Sequence, residues 1–332
     1  VHYLVFERKR LSGDMLFKMR TRRELLTAIP LIAACGGGKQ KVIGVIPKAV
    51  GDLFFAAVHA GVRRAAREFG VEIVWNGPKD ETDHGRQIQI VDSMVAQRVA
   101  AIAISATDER ALRAPVERAI AAGIPVTVFD SGVEAEGYVT FVATDNYGAG
   151  CAAARRLAEL VGKKGKVGMV MHKPGGTSTM LREEGFQKTM AAEFPEVAIA
   201  ARQYGMADRA KARGVAENIL TGNPDIGALF ASSEASSLGA IQALQSRGLS
   251  GKIRLITFDT SQAHVEALAA GFIDVMMVQD SARIGYEAVR SLTEKLAGRT
   301  PQQRLDLPVR QVTKEMLSNP EIQELISPKL DV

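Results

Sequence analysis

From residue 41 onward the chain alternates short apolar runs, rich in β-branched residues, with longer stretches whose apolar positions recur every three to four residues. The runs at 42–46, 71–75, 100–105 and 125–130 read as strands, and the stretches at 54–69, 84–97 and 109–122 as amphipathic helices. A second series follows: helix 146–161, strand 166–171, helix 180–193, strand 197–204, helix 207–221, strand 226–231, helix 235–247, strand 254–259, helix 262–270 and strand 273–279. A long helix near 281–297 and an irregular tail complete the chain. Strands of this kind, separated by helices, argue for parallel sheets with right-handed crossovers. Gly70 and Gly123 sit where helices turn back into strands. The expected fold class is α/β, with two doubly wound parallel-sheet lobes of comparable size and no proline-rich linker between them.

In open α/β sheets ligands collect beyond the carboxyl ends of the strands. The polar residues that close strands are therefore the ones to weigh: Lys48, Asp130, Ser232, Ser233, Glu234, Asp259 and Gln279. Composition adds only bounds. At 332 residues and 46% hydrophobic content the chain holds enough apolar material for two cores. Its formal charge of +5 invites a nucleic-acid reading, but the charge is unevenly placed. Seven of the 42 Lys and Arg and three of the 37 Asp and Glu fall in residues 1–34, which leaves 35 against 34 in the remainder. No basic stripe is left there to neutralise a phosphate backbone.

The opening stretch has its own logic. Gly36, Gly37, Gly38 and Lys39 are not a phosphate loop, because Gln40 follows the lysine and the first strand comes afterwards. Arg20, Arg22 and Arg23 form a positive end, 25–34 a short apolar segment, and Ile32, Ala33, Ala34 and Cys35 a small-residue cleavage site. This resembles the lipobox of bacterial lipoproteins, in which the cysteine becomes the lipidated first residue; Thr21 to Leu26 also resembles a twin-arginine export signal. Residues 1–34 are accordingly expected to be a cleaved export signal, 35–40 a linker, and Cys35 the lipidation site. A disordered N-terminal tail is the plainer alternative. The expected location is periplasmic or cell-surface, tethered to the membrane through the lipid alone, since no apolar run spans a bilayer.

Several landmarks then occur in order: Val45, Ile46, Pro47 and Lys48 with Leu53, Phe54 and Phe55; Val128 to Ser131; Thr144, Asp145 and Asn146; Ile256 to Asp259; and Gln279. Together they resemble the periplasmic sugar-binding proteins of ABC importers, of the ribose-binding type, from about Lys41 to about Arg310. Ile46, Pro47 and Lys48 with Gly51, and Asn76, Gly77 and Pro78, are more similar to the autoinducer-2 and rhamnose binders. The resemblance implies two lobes joined by a three-strand hinge, with ligand held in the cleft and the hinge closing on it. Crossings are implied near Thr144, Gln279 and Val309, giving one lobe of 41–144 plus 280–308 and another of 145–279 plus 309–332.

Sugars carry many hydroxyls and an apolar face, so a fitting cleft offers carboxylates, amides and an aromatic ring. The resemblance implies ligand contacts at Lys48, Phe54, Phe55, Asp130, Ser178, Thr179, Ser233, Glu234, Asp259 and Gln279. Adjacent helical residues point about 100° apart, so one of Phe54 and Phe55 is expected to face ligand and the other the core. The ribose type's cleft arginine falls near Met180, and Arg182 matches a structural arginine instead. Ser233 replaces the ribose type's asparagine, and an aromatic near Ala207 is missing. Acidic tips facing one lysine disfavour phosphorylated or carboxylated ligands and suit a neutral pentose, deoxyhexose or polyol. No cofactor, metal or nucleic acid is expected, and the protein should act as a monomer.

An enzyme would need a nucleophile with its base, or a metal cluster, and His2, His59, His84, His172 and His264 are scattered without ligand spacing. A repressor would need a helix-turn-helix ahead of the first strand, where the export signal stands. The expected function is a lipid-anchored solute-binding protein that delivers its sugar to an ABC importer permease. A sensor presenting its closed form to a histidine kinase or chemoreceptor, or an autoinducer-2-like signal binder, remains the alternative.

Overall fold

The computed structural model describes residues 40–327 of the chain. The proposed export signal, Cys35 and most of the linker therefore lie outside the described residues. In order, the elements are β1 (Val42–Ile46), α1 (Leu53–Phe69), β2 (Glu72–Trp75), α2 (His84–Ala96), β3 (Ala101–Ile104), α3 (Arg113–Ala121), β4 (Val126–Phe129) and β5 (Thr140–Thr144). The chain continues through α4 (Asn146–Leu160), β6 (Gly165–Met171), α5 (Thr177–Glu193), β7 (Val197–Tyr204), α6 (Arg209–Gly222), β8 (Ile226–Ala231), α7 (Glu234–Ser246), β9 (Arg254–Phe258), α8 (Gln262–Ala269) and β10 (Val275–Val278). It ends with α9 (Ser281–Leu296), β11 (Arg304–Leu307), β12 (Arg310–Val312), a 3₁₀ turn (Lys314–Ser318) and α10 (Pro320–Ile326).

Two six-stranded sheets result, in the orders β11-β5-β4-β3-β1-β2 and β12-β10-β9-β8-β6-β7. All pairings are parallel except β10 with β12. Each sheet has apolar clusters on both faces, as the wholly buried strands β3, β4 and β10 require. The fold is thus the α/β pair of doubly wound lobes that the alternating pattern predicts.

The chain passes between the sheets three times, from β5 to α4, from β10 to α9, and from β11 to β12. The crossings are bonded together. Thr144 Oγ1 donates to Gln279 Oε1 at 2.6 Å, and Asp145 N donates to Leu307 O at 2.9 Å.

Three local expectations are corrected. The tail after 297 is not irregular, since β11 completes one sheet and β12 the other. Short strands of mixed polarity such as Arg304–Leu307, with burial only at Leu307, carry no apolar run for sequence reading to find. β5 was likewise not among the predicted strands. Helix α5 begins at Thr177, three residues before the predicted start, so Ser178 and Thr179 lie in its first turn.

Each lobe contains a helix pair drawn together reciprocally at two glycines. A Cβ on Gly61 of α1 would collide with the Ala282 carbonyl of α9, and one on Gly285 with the Val58 carbonyl. In the second lobe Gly150 of α4 meets Arg182 O and Gly185 of α5 meets Tyr147 O in the same reciprocal way. Backbone-to-backbone approach of this kind leaves no room for a side chain.

Candidate functional site

The carboxyl ends of both sheets face one cleft, which encloses a cavity of about 60 Å³. From the first lobe come Lys48 after β1, Asp52, Phe54 and Phe55 at the start of α1, Glu81 in the loop after β2, and Asp130 after β4. From the second come His172 after β6, Ser178, Thr179 and Arg182 on α5, and Ala207 and Arg209 after β7. Ser233, Glu234 and Ala235 follow β8, Asp259 follows β9 and Gln279 follows β10. All ten residues singled out in the sequence border this cavity.

Asp130 and Asp259 occupy matching places in the two lobes. Asp130 N continues its sheet by donating to Val142 O of β5, and Asp259 N does so to Met277 O of β10. Both backbones then turn left-handed, at φ 55° and 69°, which Asp tolerates because its short side chain bonds locally. Asp130 Oδ2 accepts from Ser105 Oγ at 2.8 Å and lies 3.4 Å from Lys48 Nζ. Asp259 Oδ2 accepts from Glu234 N at 2.9 Å, holding the start of α7, and its Oδ1 accepts from Gln279 Nε2 at 2.6 Å. Gln279 thereby joins the binding cleft to the crossing strands through Thr144.

The two phenylalanines divide as expected in part. Phe55 is packed in the first-lobe core and Phe54 is half-buried at its edge, yet both border the cavity, with rings T-shaped at 5.0 Å. Thr179 Oγ1 donates to Gly176 O at 3.2 Å. Ser178 is 1% exposed and its Oγ has no hydrogen-bond partner.

Opposed charges set the electrostatics. Burial works against the Lys48 ammonium, but Asp130 and then Glu81 outweigh it, and the net shift is upward. Glu81 is likewise penalised by burial, yet Lys48 and His172 hold it well below the usual carboxylate range. Burial, reinforced by the charge of Glu81, raises Asp52 to about 6. Glu234 is pushed to about 7 by burial and then by Asp259. Its 2.6 Å pair with Arg209 acts in the opposite sense. The Arg209 side chain is 49% exposed, so water screens that attraction and burial wins.

Arg182 keeps the structural role expected of it and also reaches the cavity, whereas the position matched to the cleft arginine does not. Met180 is 38% exposed and takes no part in the cavity wall. Arg182, expected to be structural, borders the cavity while donating to Asn146 Oδ1 at 2.7 Å and Ser232 O at 3.0 Å, with its guanidinium 4.3 Å over the Phe258 ring. It is both a brace and a wall. The lone lysine of the expected site is also joined by Arg182, Arg209 and His172.

Sequence reasoning missed Asp52, Glu81, His172, Arg182 and Arg209. For His172 the signal was present, since it directly follows the strand ending at Met171. Glu81 lies well past the end of β2 at Trp75, so only the fold of its loop brings it back. Among the described residues no cluster of His, Cys, Asp and Glu could hold a metal ion, and no helix is long and apolar enough to cross a membrane.

The periplasmic binding protein domain matches residues 43–300. The chain is 29% identical over 280 residues to the ribose import binding protein RbsB of Bacillus subtilis, covering 84% of this chain and 90% of that one. It is also 29% identical to the D-ribose/D-allose-binding protein of Pseudomonas aeruginosa, over 90% of this chain and 96% of its relative. Among solved structures, a solute-binding protein of an Agrobacterium vitis ABC transporter, bound with α-D-tagatopyranose, superposes with a TM-score of 0.83 at 30% identity. That match covers 86% of this chain and 99% of the other. A carbohydrate transporter solute-binding protein from Agrobacterium radiobacter in complex with D-arabinose gives 0.84, also at 30% identity, covering 87% and 99%. Two wrapped sheets, three crossings and a polar cleft between strand tips agree with these likenesses, and the chain belongs to the periplasmic binding protein family, among the solute-binding proteins of sugar ABC importers.

Proposed function

We propose that this protein captures a neutral monosaccharide or polyol in the cleft, closes on it, and delivers it to an ABC importer permease. The observation that carries the reading is the meeting of Asp130 and Asp259, from opposite lobes, at one buried cavity that also holds the unpaired Ser178 hydroxyl. Carboxylates there accept from vicinal hydroxyls, Arg182 and Lys48 donate to ring and hydroxyl oxygens, and Phe54 covers an apolar face. The relatives' ligands, tagatose and arabinose among them, are of the same chemical class. Residues 41–144 plus 280–308 form one moving body and the rest of the folded chain the other, with closure as rotation about the three crossings. Cys35 carries a lipid that keeps the protein at the membrane surface.

A thermal-shift screen over pentoses, deoxyhexoses, hexoses and polyols tests this. Ligand at about 100 times its dissociation constant stabilises the folded state by about 2.7 kcal/mol, so a true ligand raises the melting temperature clearly. A flat response across all four classes would overturn the proposal.

A further inference from the structure

A line of polar side chains crosses the cleft inside the cavity wall. Lys48 Nζ lies 3.4 Å from Asp130 Oδ2 and 3.4 Å from Glu81 Oε2. The same Glu81 oxygen meets His172 Nε2 at 2.9 Å, and His172 Nδ1 meets Ser233 Oγ at 2.8 Å. Asp130, Lys48 and Glu81 belong to the first lobe, and His172 and Ser233 to the second. None of the five is more than 6% exposed.

Both ends of the bridge are fixed in place. The loop bearing Glu81 is pinned to the segment after β1 by Val50 N donating to Pro78 O at 3.0 Å, and Gly77 abuts Pro47. Thr82 N and Oγ1 both donate to Asp80 Oδ1 beside it. His172 N donates to Glu183 Oε1 at 2.8 Å, which also accepts from Ser232 Oγ at 2.7 Å. A second bridge, from Phe54 N to Glu234 Oε2, also borders the cavity, but there the carboxylate's partner Arg209 is half exposed. The Glu81–His172 bridge is the drier and better-braced of the two.

We propose that Glu81 and His172 are specificity-determining positioning residues, which wall off one side of the cavity and hold Lys48 in place, so that a free monosaccharide is accepted and one bearing a substituent on that side is rejected. This rests on the sugar-binding reading above. A ligand longer than one ring on that side would separate the carboxylate from the imidazole and leave buried polar groups unpaired, which is how a polar wall discriminates more sharply than an apolar one.

The test uses the tightest-binding sugar from the four-class thermal-shift screen, D-ribose, D-arabinose, D-fucose and D-tagatose included, together with its two methyl glycosides and its other mono-O-methyl ethers. Calorimetry on the wild type, Glu81→Ala and His172→Ala gives the affinity of each derivative relative to the free sugar. For the wild type at least one derivative binds 100-fold more weakly than the free sugar. In both variants the free sugar weakens ten-fold or more, while that derivative recovers at least ten-fold relative to it. A general loss of structure lowers all affinities together and does not move this ratio. If an alanine variant fails to fold, Glu81→Gln and His172→Gln, which keep volume and weaken the bridge, are read in its place. Ratios unchanged in the folded variants overturn the wall while leaving sugar binding intact; a wild type whose thermal-shift response is flat across all four sugar classes overturns both.

Discussion

Asp130 and Asp259 hold left-handed backbones at the tips of two equivalent strands, a conformation that costs most residues about 1 kcal/mol or more. Asn and Gly share the tolerance, but only Asp supplies a carboxylate. Asp130→Ala combines lost acceptors with a strained backbone and leaves Lys48 with Glu81 as its remaining ion-pair partner. Its sugar affinity should fall by on the order of 2–3 kcal/mol; calorimetry that finds the wild-type affinity removes Asp130 from the binding set. These tips were legible in the sequence because a carboxylate directly after a buried, largely apolar strand stands out. Glu81 and Arg209 were not, since each lies in or beyond a loop whose path depends on tertiary packing.

Helix ends carry the next level of the argument. Glu234 opens α7, yet its carboxylate accepts from Phe54 N in the first turn of α1, at 3.1 Å. The N-cap residue Asp52 supplies no side-chain bond of its own, so α1 borrows its cap from the opposite lobe. With Glu234 near 7 in the folded chain against an ordinary 4.5, the folded state holds a proton that the unfolded chain has released between those values. The stability this adds is complete below 4.5 and is lost as pH rises to about 7, on the order of 2–3 kcal/mol. Melting temperatures of wild type and Glu234→Gln should therefore diverge in slope across that window. Parallel slopes would refute the assignment; Asp52, raised to about 6 and itself one of the charges that raise Glu234, acts with the same sign in both proteins. At the glycine contacts, Gly285→Ala drives a methyl group into the Val58 carbonyl and should cost about 1–3 kcal/mol. Urea titration reads this as a lower midpoint at constant slope, and an unmoved midpoint would mean that α1 and α9 part freely. The long helices were legible from their apolar periodicity, whereas β11 and β12 were hidden by shortness and mixed polarity, and β5, though five residues long and largely buried, was passed over.

At the scale of the whole molecule, the α/β alternation predicted the two lobes, and the order of landmarks suggested the crossings. The resemblance placed Thr144 and Gln279 at neighbouring crossings, but the bond between them joins residues 135 positions apart and no local pattern encodes it. The proposed lipid anchor at Cys35 belongs to this scale as well. Cys35→Ser should release the protein from membranes, and cell fractionation that still finds it in the membrane pellet would refute lipidation. A last consequence follows from where α9 and β11 lie. Ile284, Ala288, Val289, Leu292 and Leu307 are core residues of the lobe that begins at Val42. The core of that lobe therefore cannot be completed until residues 284–307 have been made, after five of the six strands of the other sheet, so the lobe begun first is closed by segments that follow the second.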